Sequence, residues 1–319
     1  MTTTNETWQK ELRQNIRSVK DFNDYFEKNL TSDFPYDINI PLHIAKEIKE
    51  NKSSVLIKQF MPIEEELENQ NQGVDDPIGD QENSLNDGIV HRYNNRILFF
   101  PTSTCPVICR YCFRKNELST GADVLKGKLK VLDEYLSKNL NINEVILSGG
   151  DPLVLSNQRI LEILNIIKTH SSIKYLRFHT RTPVSLPSRI TKDFIKTIKE
   201  NKGRLKIVFS IHVNHASEIT SDVESAFEKL SHFQLLSQTV LLKGINDCPL
   251  ILKSLIYKLD QNSIRPYYLH HPDKVKGGMH FMVSKDHGQA IMRKLRKEVS
   301  GWLLPHYIQD NPSGKTVIA

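Results

Sequence analysis

The sequence predicts an α/β fold, a partial (β/α)6 barrel of the TIM-like kind with an N-terminal helical extension. Three observations carry this. Six short apolar runs begin near residues 96, 144, 175, 205, 235 and 265, and a segment with helical period follows each. Such alternation dictates parallel strands joined by crossover helices. Six units are too few for the usual eight-fold closure, so the barrel should stay open. Ahead of the repeats the apolar spacing is helical only, and a polar stretch separates the two regimes.

The elements follow in order. Trp8, Leu12, Ile16, Val19 and Phe22 recur at steps of three or four, which predicts one helix over residues 6–26. A second is expected within 35–52 and a short third over 60–67. Residues 69–88, NQNQGVDDPIGDQENSLNDG, contain no core segment and read as a long surface connection. Strands are expected at 96–100, 144–147, 175–178, 205–209, 235–242 and 265–269. Helices are expected at 123–140, 158–169, 188–200, 216–230, 250–259 and 286–299. This divides the chain into an extension with linker (1–85), the barrel (86–285) and a C-terminal segment (286–319).

Composition narrows the class. A chain of 319 residues with 39% hydrophobic content can bury a large core. Lys+Arg 43 against Asp+Glu 37 leaves +6, compatible with anionic ligands but too diffuse to argue for nucleic acid. No apolar run reaches the ~18 residues of a membrane span. The N-terminus carries Glu6 and Glu11 without an apolar h-region, and KTVIA is no lipidation signal, so a cytoplasmic location is expected. Four cysteines in such a length exclude a disulfide scaffold and point to reduced thiols as metal ligands or nucleophiles.

Three of those cysteines share one loop after the first predicted strand, Cys105-Pro-Val-Ile-Cys109-Arg-Tyr-Cys112. A barrel places its chemistry at the C-terminal ends of its strands. Three thiolates on one loop can hold a [4Fe–4S] cluster and leave one iron open to a small molecule. Zinc completed by a distant histidine, or three ordinary cysteines, also fit the spacing. After the second strand comes Ser148-Gly149-Gly150-Asp151, by itself a tight βα turn.

The C-x3-C-x2-C run with Tyr111 before its last cysteine resembles the signature of radical S-adenosylmethionine enzymes. HRYNNRILFFPTSTCPVICRYCFRK, EVILSGGDPL, LRFHTRTPVSLPSRIT, HVNHASEIT, QTVLLKGINDCP, RPYYLHHPDKVKGGMHF and SGKT, in that order, resemble the lysine 2,3-aminomutase family over roughly residues 35–319. The resemblance implies an isomerase that moves the α-amino group of L-lysine from C2 to C3, giving β-lysine. It implies a [4Fe–4S] cluster on Cys105, Cys109 and Cys112, with S-adenosylmethionine on the open iron. Ser148, Gly149, Gly150 and Asp151 would contact that ligand, with Gln238 on its adenosyl side. Lys315 would form a Schiff base with pyridoxal 5′-phosphate. Tyr93 would then stack on the pyridine ring, and Arg92 and Arg96 would meet the phosphate, which guanidinium forks suit. Arg114 would bind the substrate carboxylate. Asp273 and Asp310 would hold the ε-ammonium, since two carboxylates satisfy a buried ammonium better than one.

His179, Arg181, His212 and His215 fall at strand ends, open to cavity or core roles alike. Cys248 matches a cysteine that longer relatives use for zinc with cysteines of a C-terminal extension; here no further cysteine follows, so no zinc is expected and Cys248 reads as a small buried residue. The short form, with its Cys-Phe-Arg-Lys and His-Phe-Met-Val-Ser wording, resembles the branch that makes β-lysine for elongation factor P. Implied partners are lysine, a reductant such as flavodoxin or ferredoxin, and a second copy in a homodimer. An aminomutase for another basic amino acid and an iron–sulfur scaffold without activity are the alternatives.

Overall fold

A computed structural model describes residues 7–31, 34–68, 70–85, 88–115, 118 and 125–319. Among them, nine strands form one sheet in chain order. These are β1 (Ile89–Tyr93), β2 (Arg96–Thr102), β3 (Glu144–Gly149), β4 (Tyr175–Thr180), β5 (Lys206–His212), β6 (Gln234–Val240), β7 (Arg265–His270), β8 (His306–Asn311) and β9 (Gly314–Val317). From β2 to β8 every neighbouring pair is parallel. β1 and β9 pair antiparallel at the two ends, so the barrel is open and each of its edges is a hairpin.

The expected βα alternation is present. Helices α5 (Leu125–Lys138), α6 (Asn157–Ile167), α8 (Lys192–Asn201), α9 (Ser221–Leu230), α10 (Pro249–Gln261) and α11 (Lys285–Glu298) form the crossovers, and a one-turn α7 (Thr182–Ser185) follows β4. The start of the predicted helix at Asp123 lies outside the described residues. Helix starts are fixed by hydroxyl caps: Ser156 accepts from the Arg159 amide, Thr191 from Phe194 and Ser284 from His287. Helix α6 buries Ile160, Ile163, Leu164 and Ile167, the i, i+3, i+4, i+7 face. Those faces pack on Val145, Leu147, Leu176, Phe178 and Phe209, with the Phe178 and Phe209 rings stacked at 4.9 Å. The opposite strand faces are left to line the barrel interior. No described helix is long and apolar enough to cross a membrane.

Four local expectations are corrected. The helix expected over 6–26 is two, α1 (Thr7–Arg13) and α2 (Val19–Phe26), and Glu6 lies outside the described residues. Ser18 caps α2 through the Asp21 amide, while Ile16 is drawn into a two-bond bridge with Ile40. The helix expected over 60–67 instead ends at Phe60, as α4 (Ser54–Phe60) after α3 (Leu42–Asn51). Met61 precedes Pro62 and is extended, at φ −89° and ψ 143°. The polar stretch is not a surface connection throughout: Ile78 is 5% exposed, Val74 bridges to Val275, and a Cβ on Gly79 would meet Pro312 at 2.8 Å. Finally, β1, which holds His91–Tyr93, and β8 and β9 were not foreseen as strands.

The extension cradles the cysteine loop. Asn39 donates to the Cys105 carbonyl at 2.9 Å and accepts from the Ile108 amide at 3.0 Å. Asn15 donates to the Pro106 carbonyl at 2.8 Å, and the Gln59 carbonyl accepts from the Arg110 amide at 2.9 Å. A loop otherwise free to move is thereby held by buried polar bonds.

Candidate active site

The interior strand faces and the cysteine loop enclose a cavity of about 550 Å³ at the C-terminal ends of the strands. Cys105, Cys109 and Cys112 line it, with Ser148, Gly149, Gly150, Asp151 and Gln238 beside them. Tyr93, Arg92, Arg96, Arg114, Asp273, Asp310 and Lys315 also line it. Residues far apart in the chain thus share one space. His179, Arg181 and His212 line it as well. His215 does not; its Nδ1 accepts from the Ser217 amide at 3.1 Å and caps a short turn. Cys248 lies outside the cavity lining and is half-buried rather than buried, because it sits at the exposed start of α10.

The glycine pair brings two backbones together. Gly149 has φ +100°, and a Cβ on it would lie 2.6 Å from the Thr102 carbonyl oxygen. A Cβ on Gly150 would lie 2.1 Å from that of Thr104. The close approach is therefore to the segment leading into the cysteine loop, and two amides seal it: Gly150 to Thr102 O and Asp151 to Thr104 O, each 2.9 Å. Asp151 is committed inward. Its carboxylate accepts from the amides of Leu153, Arg181 and Thr182 and from the Thr180 hydroxyl. Burial pushes its pKa up, against the pull of those donors.

Burial pushes all three thiols up as well, Cys112 to about 12, so bare sulfurs here keep their protons and a metal must displace them. Among the described residues, no three His, Cys, Asp or Glu side chains are gathered as a single ion requires. Three thiols on one loop suit a polynuclear iron–sulfur group.

The same cavity carries a charged cluster. β8 and β9 place Asp310 across from Lys315, and the two side chains form an ion pair. His270 Nδ1 lies 2.8 Å from the other Asp310 oxygen. Burial acts to raise Asp310, yet the bond from His270 and the charges of His270 and Lys315 outweigh it and hold it low. Asp273 goes the other way: burial, then the Asp310 charge, push it up to about 7. The Lys315 amide donates to the Tyr93 hydroxyl at 2.7 Å, which ties β9 to β1 across the open seam. Arg96 covers the Tyr93 ring at 3.7 Å. Arg92 and Arg114 both pair with Asp80, while each buries an Nε that has no partner among the described residues. Two such orphaned guanidinium edges in a cavity fit anionic ligand groups.

The radical SAM superfamily matches residues 99–249. An L-lysine 2,3-aminomutase from Buchnera aphidicola is 37% identical over 94% of this chain and 88% of its own length. The chain belongs to the lysine 2,3-aminomutase family. The L-lysine 2,3-aminomutase of Haemophilus influenzae is 35% identical over 88% of this chain and 84% of its own. That of Methanococcus maripaludis is 36% identical, and this chain covers 65% of it. Membership makes this chain an isomerase with a radical SAM domain, and such a domain implies a [4Fe–4S] cluster and S-adenosylmethionine, a pair the thiol wall fits.

Sequence reasoning missed Asp80, the partner of both arginines of this aminomutase site. Its signal was weak: one carboxylate two residues after Ile78 in a polar run. It missed also the buried partners of Arg110 and Arg181, which come from distant segments.

Proposed function

We propose that this chain is a radical S-adenosylmethionine, pyridoxal-phosphate-dependent aminomutase that converts L-lysine to β-lysine. The observation that supports it best is a single cavity lined by the three thiols and by Lys315, Asp310 and Asp273 together. When bound, the cluster with S-adenosylmethionine supplies a hydrogen-abstracting radical, and pyridoxal phosphate supplies an electron-accepting ring. Cys105, Cys109 and Cys112 would hold the cluster, and the Ser148–Asp151 turn with Gln238 would face the adenosyl ligand. Tyr93, Arg92 and Arg96 would seat the pyridoxal ring and phosphate, leaving Lys315 Nζ to attach its aldehyde. Asp310 pairs with that amine and orients it within the cavity. Arg114 would take the amino-acid carboxylate, and Asp273 with Asp310 the ε-ammonium, which orients lysine by both ends. A low-potential reductant such as flavodoxin or ferredoxin would donate the electron, and the setting would be the cytoplasm.

Incubated anaerobically with dithionite, S-adenosylmethionine, pyridoxal phosphate and L-lysine, the protein should yield 5′-deoxyadenosine and β-lysine. Cluster reduction without any β-amino acid from lysine or another basic amino acid would overturn the reading.

A pH dependence follows from Asp273. Its carboxylate, at about 7, must be ionised to hold an ammonium. Lysine binding, followed by the change it causes in the cofactor's visible band, should weaken roughly tenfold from pH 8 to pH 6. Asp273→Asn should bind lysine more weakly and without that slope. The stability sign is opposite. An acid raised on folding stabilises the fold fully below its unfolded value near 3.8, and loses that contribution as pH rises through about 7. Thermal melts of the Asn variant should therefore exceed wild type by a margin that grows from about pH 4 and levels off above about pH 7.

A further inference from the structure

We propose that Arg181, held by Glu218 and Gln59, sets the reduction potential of the cluster through Cys109; this rests on the cluster-binding reading of the three cysteines. Arg181 Nη1 donates to Cys109 Sγ at 3.3 Å. Its Nη2 donates to Gln59 Oε1 at 3.0 Å and pairs with Glu218 Oε2. The guanidinium lies 4.6 Å from the Phe60 ring centre and 5.6 Å from that of Tyr111. Side chains of both charged partners are nearly inaccessible, 6% for Arg181 and 1% for Glu218.

The geometry separates two duties within Glu218. Its Oε1 accepts from the amides of Asn214 and His215 and from Gln59 Nε2, at 2.9, 2.8 and 3.1 Å. That oxygen is saturated by neutral donors, so Oε2 alone answers the cation. Arg181 thus presents a permanent positive charge to one cluster sulfur, partly offset by a carboxylate behind it. In a water-poor setting both charges act at nearly full strength on an electron added to the cluster. A donor and a cation at the sulfur favour the reduced state; a carboxylate disfavours it. Gln59 belongs to α4, so the N-terminal extension takes part in the tuning.

The prediction is a pair of opposite shifts. Wild type, Arg181→Gln and Glu218→Gln are reconstituted anaerobically as full chains. Iron and sulfide are assayed, and each protein is titrated with mediators while the paramagnetic signal of the reduced cluster is followed. At the potential that leaves wild type half reduced, the ratio of reduced to oxidised cluster should be about ten in Glu218→Gln and about one tenth in Arg181→Gln. Each is about 59 mV for a one-electron couple. A purely structural role would lower cluster content in both and move neither potential. Shifts of the same sign, or ratios within twofold of wild type, overturn the proposal. If Arg181→Gln takes up no cluster, Glu218→Gln decides by its sign. If neither does, Gln59→Glu decides, since it keeps the cation and adds a carboxylate: a fall in potential supports the proposal and any other result overturns it. A wild-type chain that takes up no iron and sulfide overturns both this role and the cysteine reading; a loaded wild type with unmoved variants overturns this role alone.

Discussion

Lys315→Ala is expected to abolish β-lysine formation, by at least about a thousandfold, the scale on which loss of a covalent nucleophile is felt. The substitution is clean because the structural work of this residue is done by its backbone. The Lys315 amide bonds to Tyr93, and the register of Asp310 against Lys315 is set by main-chain pairing, so an alanine keeps both. Gly314, whose added Cβ would lie 2.8 Å from the Tyr93 hydroxyl, is untouched. Asp310 loses one cation but retains His270 at 2.8 Å. The variant should therefore fold, carry the cluster's brown absorption, and lack the visible band of pyridoxal phosphate joined to an amine. Free aldehyde absorption that washes out by gel filtration is the expected spectrum. Retention of the wild-type band, or of more than a few per cent of activity, would place the attachment elsewhere.

How much of this was open to sequence reasoning depended on distance along the chain. Crossover units declare themselves because each strand and helix carries its own periodicity: Val145 to Leu147 is a continuous apolar run, and α6 repeats its buried face within eleven residues. The cysteine loop and the Ser148–Asp151 turn are contiguous motifs, as is the SGKT segment bearing Lys315. Strand β1 was hidden because His91, Arg92 and Tyr93 carry no apolar alternation. Residues 70–85 were hidden because they hold on by backbone bonds, Ile78 and one carboxylate, none of which differs from a loop in composition. Partners such as Gln59 and Glu218, 159 residues apart, leave no local trace at all. The Ser18 cap that splits the first helix was present in the text, but five apolar residues at helical steps overrode it.

Glu66→Ala should be the most destabilising single change in the cysteine-loop region. Glu66 is wholly buried and accepts from Arg110 at 2.8, 3.0 and 2.7 Å and from Lys115 at 3.2 Å. The two cations bracket the cysteine loop: Arg110 also donates to the Asp37 carbonyl, and Lys115 to the carbonyls of Arg110 and Gly277. Removing the carboxylate leaves two buried positive charges with carbonyl partners only, a loss of about 3–5 kcal/mol. Such a loss is a large share of the ~5–15 kcal/mol typical of a folded domain, so the melting temperature should fall on the order of 10 °C. The pH dependence identifies the cause. Burial lowers Lys115 to about 8 despite Glu66, which acts to raise it. A lysine depressed on folding binds fewer protons folded than unfolded, so stability rises with pH from about 8 towards the unfolded value near 10.5. Without Glu66 the folded value drops further and the rise begins at lower pH. The alanine variant should therefore regain part of its deficit between pH 7 and pH 9, in melts that run parallel to iron and sulfide analysis. Glu66→Gln, which keeps an acceptor but no charge, should lose less and show the same displaced slope. Unchanged melting and unchanged cluster content would mean that the loop is held by the Asn39 and Gln59 backbone contacts alone.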